Sequence, residues 1–239
     1  MIPKTIHYCW FSRERKPENV RRCIESWHKN FPDWTIKCWG PDSFDFQSVP
    51  FVKEAMACKK WAFASDYIRL YALSAEGGVY LDSDVQAWAG IDDWLEYDFF
   101  TGLEMRDKGH TQIYPEAAIM GSIPSNPIIV EALETYKERH FLLEDGRMDQ
   151  TPIPTVMRPI LEKYGWRAED STQEFVPGSV VLSTDSIANT NCERKATVRL
   201  YHLNNRSWIP LTAKEKLFRL LKKMGVKRVY DWLIGNTNE

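Results

Sequence analysis

The stretch from Ala62 to Val85, AFASDYIRLYALSAEGGVYLDSDV, limits the possible folds more than any other part of the chain. Lys59 to Glu76 contains neither Pro nor Gly, and Trp61, Ala64, Ile68, Tyr71, Ala72 and Ala75 recur at helical spacing. Gly77-Gly78 ends that helix, because Gly accepts the left-handed backbone common at helix C-termini. Val79-Tyr80-Leu81 is β-branched and aromatic, as expected of a buried strand. Asp82-Ser83-Asp84 follows at once. In open α/β sheets, ligands bind at the carboxyl ends of strands. Two carboxylates one residue apart can there approach one hard cation, Mn2+ or Mg2+, together with substrate phosphate oxygens. Asp66 and Arg69 lie three residues apart and share a helix face. Such a pair is either a structural ion pair or part of a site.

The chain before this stretch reads as strand Thr5–Trp10, helix Pro17–Lys29 and strand Trp34–Trp39. This β-α-β order predicts parallel pairing and an α/β fold. His7 is expected to be a satisfied core histidine, and Trp10, at the strand end, either a core residue or a stacking surface for a base. Phe44–Val52 reads as irregular. After Asp84 come a short helix at Ile91–Leu95, a strand at Phe99–Glu104, and a charged loop, Arg106–Tyr114, expected near an acceptor. Asp92 and Asp93 start the short helix, where carboxylates favour the positive dipole end. Ala117–Gly121 reads as a strand, with Gly121 and Ser122 as candidate substrate contacts. Helices follow at Pro127–His140 and, interrupted by Pro, at Thr151–Tyr164. Strands are expected at Val176–Leu182 and Thr197–Leu203.

A length of 239 residues predicts one main domain, placed at 1–210, with a tail at 211–239. In that tail Ala213–Gly225 reads as a basic amphipathic helix, suited either to packing on the domain or to peripheral contact with an anionic membrane. The net charge of −2 gives no reason to expect nucleic acid. Five scattered cysteines without a C-x-x-C pair fit reduced thiols in the cytoplasm. The N-terminus lacks a signal-peptide pattern, and no stretch approaches the length of a membrane span.

The run S-D-Y-I-R-L-Y-A-L-x3-G-G-V-Y-L-D-S-D-V resembles the core of glycosyltransferase family 32, the D-x-D sugar transferases, and is similar to the catalytic domain of the large clostridial glucosylating toxins. I-H-Y-C-W-F near the start and His202…Ser207-Trp208 near the end resemble the opening and closing motifs of that family. The resemblance implies a GT-A-like, Rossmann-type nucleotide-sugar fold, an α/β/α sandwich with a mixed central sheet. It implies that Asp82, Asp84 and His202 hold the metal, Mn2+ or Mg2+. Cys9, Trp10, Ser65, Tyr80, Asp82, Ser83, Ser207 and Trp208 would line the nucleotide-diphosphate site. Asp66 and Arg69 would hold the donor sugar and, with Asp84, carry catalysis. The implied activity is retaining transfer from a nucleotide sugar, with UDP as the expected nucleotide, to a glycan or polyprenyl-linked glycan in bacterial surface polysaccharide synthesis, at the inner face of the plasma membrane. Two other readings stay open: a haloacid-dehalogenase-type Mg2+ phosphatase, since V-Y-L-D-S-D-V also fits that motif, and a glycan-binding homologue without turnover.

Overall fold

The computed structural model describes residues 1–204 apart from His110. Ser207, Trp208 and the expected helix at Ala213–Gly225 lie outside the described residues. The chain opens with β1 (Thr5–Cys9), α1 (Glu18–Asn30) and β2 (Thr35–Trp39). Two helices follow, α2 (Pro50–Ala57) and α3 (Trp61–Glu76), then β3 (Gly78–Leu81) and β4 (Val85–Ala87). A 3-10 turn at Asp92–Glu96 leads to β5 (Phe99–Met105), β6 (Ile113–Ser122), α4 (Pro127–Glu134) and α5 (Ile153–Lys163). The last described strands are β7 (Gln173–Val176), β8 (Ser179–Val181), β9 (Ile187–Asn189) and β10 (Leu200–His202).

Seven strands form the main sheet in the order β2-β1-β3-β6-β5-β8-β7. β1 runs parallel to β2 and β3, as the β-α-β reading predicts, while β6 is antiparallel to both β3 and β5. The sheet is therefore mixed. One face buries Phe51, Phe63, Ile68, Leu73, Met157 and Leu161 from helices α2, α3 and α5. The other buries Cys23 and Trp27 of α1 with Tyr8, Val79 and Leu81. The result is the expected α/β/α sandwich. A small second sheet, β4-β10-β9, stands beside it.

Parallel pairing brings the carboxyl ends of β1 and β3 to the same edge, so Trp10 and Asp82-Ser83-Asp84 share it. The turn Gly77-Gly78 is enforced by backbone geometry. Gly77 has φ of 66° and Gly78 of 100°, and a Cβ on Gly78 would meet the Thr5 carbonyl at 2.6 Å. His7 is fully buried. Its Nε2 lies 2.8 Å from the Gly77 carbonyl, and its Nδ1 accepts from Trp39 Nε1 at 3.1 Å. It is the satisfied core histidine expected.

Several boundaries differ from the sequence reading. α2 begins inside the segment read as irregular, since Pro50 sits where a first helical turn needs no amide donor. The expected strand at Val176–Leu182 is a hairpin of β7 and β8, turned by Gly178 at a φ of 75°. The expected helix at Pro127–His140 stops at Glu134, and α3 exposes Trp61 and Ala75 while burying Phe63, Leu70 and Leu73. Gly121 and Ser122 are corrected as substrate contacts. Ser122 pairs with Gly78, at the edge opposite Asp82, and Gly121 makes room for the Phe100 ring.

Candidate active site

Asp82-Ser83-Asp84-Val85 is a tight turn, closed by the Val85 amide donating to the Asp82 carbonyl at 2.9 Å. It carries the chain from β3 into β4. β10 pairs antiparallel with β4, His202 opposite Val85, and the Leu203 amide donates to the Asp84 carbonyl. That pairing puts an imidazole from far along the chain beside the acidic turn. One donor atom each from Asp82, Asp84 and His202 lies within 4.8 Å of the others. Two carboxylates and an imidazole this close together form a donor set that one divalent cation could share, with positions left open for substrate oxygens.

Behind the turn stands Arg69. It is 4% exposed, and its guanidinium ties together four segments. Nη2 lies 2.9 Å from Asp66 Oδ1 and 3.3 Å from Asp82 Oδ1. Nη1 donates to the Ala117 carbonyl at 2.7 Å, and Nη2 also to Ser65 Oγ at 3.1 Å. The Tyr80 hydroxyl donates to Asp82 Oδ1 at 2.8 Å, and the guanidinium carbon sits 4.6 Å from the Tyr80 ring centroid. Asp66 and Arg69 are thus both an ion pair and neighbours of the acidic turn.

Burial dominates the ionisation of these groups. It pushes the Asp66 carboxyl up to about 7, against the pull of Arg69, and Asp82 adds to the rise. The Ile153 backbone amide, at the start of α5, and Arg139 also oppose it. Burial raises Asp82 too, again opposed by Arg69. Burial disfavours the charged form of His202, but Glu116 and Asp84 outweigh it and hold the ring well above its ordinary range.

The other expected residues stand nearby. Trp10 follows β1, half-buried, with Lys16 Nζ 5.7 Å from its ring and its indole nitrogen without a partner among the described residues. The Cys9 thiol faces Tyr80 and Arg69, and burial raises it. Ser65 Oγ donates to the Ala62 carbonyl at 2.6 Å. Ser83 is half-buried at the turn.

Three contributions escaped the sequence reading, all from one irregularity. Between the pairs Thr101–Met120 and Leu103–Pro115, β5 advances two residues and β6 five. The bulge of β6 supplies the Ala117 carbonyl to Arg69, the Ala118 carbonyl to the Asp82 amide at 2.8 Å, and Glu116 Oε1 to His202 Nδ1 at 3.1 Å. Bulges commonly re-aim groups beside active sites. The only trace in the sequence is an acid, Glu116, at the head of the apolar run Ala117–Met120.

Residues 17–100 match the family described as a glycosyltransferase sugar-binding region containing a DXD motif. The D-x-D of that description is Asp82-Ser83-Asp84, and the resemblance read from the sequence is borne out. Among relatives, the yeast mannosyl phosphorylinositol ceramide synthase CSH1 of Saccharomyces cerevisiae is 26% identical over 59% of this chain and 38% of its own length. The uncharacterized glycosyltransferase L373 of Acanthamoeba polyphaga mimivirus is 22% identical over 91% of this chain and 88% of its own. The chain spans well under half the length of the yeast synthase. Among solved structures, the PaToxG glycosyltransferase gives a TM-score of 0.47 at 20% identity, covering 68% of this chain and 69% of that one. A glycosyltransferase involved in glycosylation of the major capsid of PBCV-1 gives 0.49 at 12% identity, covering 85% and 94%. No helix among the described residues is long and apolar enough to cross a membrane.

Proposed function

We propose that this chain is a metal-dependent glycosyltransferase that moves a sugar, with retention, from a nucleotide diphosphate to a hydroxyl of a glycan or lipid-linked glycan. The observation that carries the reading is the Asp82–Asp84–His202 cluster at the carboxyl edge of β1 and β3, backed by the Asp66–Arg69 pair. In the proposal Asp82, Asp84 and His202 hold the cation, Mn2+ or Mg2+. When bound, it supplies positive charge against the departing diphosphate.

The remaining roles belong to the chain. The indole of Trp10 offers a face for the base, which we take to be uracil, with Cys9 and Ser83 along the same edge. Tyr80 and Arg69 fix Asp82 through its Oδ1. Because most donors of Arg69 are already engaged by protein acceptors, it serves by positioning Asp66 and Asp82. In this proposal Asp66, ion-paired with Arg69, accepts from a hydroxyl of the donor sugar. The family resemblance assigns diphosphate contacts to Ser207 and Trp208 as well, and both lie outside the described residues. Retention follows if the acceptor attacks the face from which the diphosphate leaves and the departing phosphate oxygen takes the acceptor proton. Capture of a glycosyl-enzyme adduct by mass spectrometry would exclude that route. A dehalogenase-type phosphatase needs Asp82 as a nucleophile at the end of a first strand. Here it ends the third, with Oδ1 already bound by Tyr80 and Arg69.

The test is binding and slow hydrolysis of a panel of nucleotide sugars with Mn2+, Mg2+ or EDTA, for the wild type and Asp84→Ala. The proposal expects one UDP-sugar to be hydrolysed only with metal, and the variant to lose this activity. Release of phosphate from phosphomonoesters, with no nucleotide sugar bound under any condition, would overturn it.

A further inference from the structure

We propose that Glu116 is a positioning residue that sets how tightly the acidic turn and His202 hold their cation. The inference rests on the cation reading above. Glu116 is 1% exposed and heads an apolar run, so its carboxylate is costly where it stands. The main chain is nevertheless pinned to hold it there. The Thr101 hydroxyl lies 2.9 Å from the carbonyls of both Glu116 and Ile119, across the bulge, and Glu116 Oε1 accepts the Ala118 amide at 3.3 Å. That same oxygen faces His202 Nδ1 at 3.1 Å, while Oε2 is buried with no partner among the described residues. Glu104, itself paired with Arg106 at 3.3 Å, is near enough for its charge and that of Glu116 to repel.

An imidazole that donates from Nδ1 to a carboxylate keeps its lone pair on Nε2 when neutral. His202 Nε2 lies 3.4 Å from Asp84 Oδ1, on the cluster side of the ring. Glu116 therefore selects the tautomer that can bind a cation and fixes the ring plane. Partners of this kind change metal affinity by about 10- to 100-fold when removed. A residue that merely filled space would be replaced by Gln without effect on the metal.

The experiment is calorimetric titration of Mn2+ alone into the wild type, Glu116→Gln, Glu116→Ala, His202→Ala and Asp84→Ala at pH 7.5. It is paired with long-range 1H–15N spectra of His202 in the Mg2+-loaded protein. The wild type should show a single His202 tautomer with the proton on Nδ1. Glu116→Ala should weaken Mn2+ by about 10- to 100-fold and mix the tautomers, and Glu116→Gln should weaken it less, keeping the tautomer. If Glu116→Ala fails to fold, the isosteric Gln variant carries the comparison. Binding within twofold of the wild type in both Glu116 variants, with the tautomer unchanged, overturns the inference while leaving the cation reading intact. If the wild type takes up no Mn2+, both fall.

Discussion

Replacing Arg69 by Met tests the architecture of the site without any ligand. The substitution roughly keeps the volume and removes the cation that Asp66 and Asp82 share, together with donors to the Ala117 carbonyl and Ser65 Oγ. Removing one partner of a buried ion pair costs about 3–5 kcal/mol, because the other charge is left uncompensated. In a protein of this size each kcal/mol moves the melting temperature by about 2–4 °C, so a fall of roughly 6–20 °C is expected. The loss must also depend on pH. Burial already holds the folded-state values of Asp66 and Asp82 above the ordinary carboxylate value, and Arg69 opposes that rise. Without it both go higher. A carboxyl raised in the folded state contributes stability that is present below its unfolded value and lost as pH rises toward the folded one. The deficit should therefore be modest near pH 5 and largest near pH 8. Arg69→Lys should fall between, since one ammonium cannot reproduce a fork that serves two carboxylates and a carbonyl. Asp66→Asn combined with Arg69→Met should recover part of the loss. Guanidinium unfolding followed by tryptophan fluorescence at pH 5, 6.5 and 8 measures all of these. A variant within about 1 kcal/mol of the wild type at pH 8, against the 3–5 expected for a broken buried pair, or a deficit that shrinks with pH, refutes the reasoning.

Asp66→Asn alone should gain on the wild type as pH rises from 5 to 8. The wild-type carboxyl, at about 7 when folded and near 3.8 otherwise, loses stability across that interval, and the amide does not. Comparison of denaturant midpoints tests this, and a gap independent of pH counts against it. His7 titrates in the opposite sense. Burial lowers its folded value below 6.5, so its contribution is complete above pH 6.5 and lost as the pH falls below it. His7→Gln should flatten the wild-type decline between pH 7.5 and 5.5, and parallel declines in the two proteins would contradict it. Gly78→Ala forces a Cβ to 2.6 Å from the Thr5 carbonyl at a φ of 100°, and calorimetry should find it destabilised by more than the roughly 1–3 kcal/mol of backbone strain alone. A change below about 0.5 kcal/mol, the scale of an ordinary surface substitution, would show that the turn relaxes.

The sequence made α3, the Gly77-Gly78 stop and β3 legible because each has its own local signal: an uninterrupted helical period, a pair of helix-ending glycines and a short apolar run. The acidic turn was legible for the same reason, and His202 through its spacing from Ser207-Trp208. β4 and β9, at three residues each, are too short for an alternating pattern to register. The β7–β8 hairpin was hidden because Val176–Leu182 reads as continuous when Gly178 is not weighed as a turn. Trp61 fits a buried helical stripe by spacing and yet is 44% exposed, since α3 packs against α2, α4 and the sheet on other sides. The part of the site least visible in the sequence is main chain. The Ala117 and Ala118 carbonyls act through their direction, which the bulge of β6 sets and no side chain records.

The pairing of β10 with β4 makes completion of the cluster a late event in synthesis. Asp82 and Asp84 leave the ribosome early, but the imidazole that joins them emerges only after β5 to β9 have been made. A nascent chain halted before Leu200 would carry the acidic turn without the imidazole. In the finished protein, a cation bound by all three residues would act as a latch on the central strand of the small sheet, so strand docking and ion uptake would become a single linked equilibrium. Exchange of the Leu203 amide hydrogen, which donates to Asp84, would then report on ion occupancy even with no sugar nucleotide in the tube.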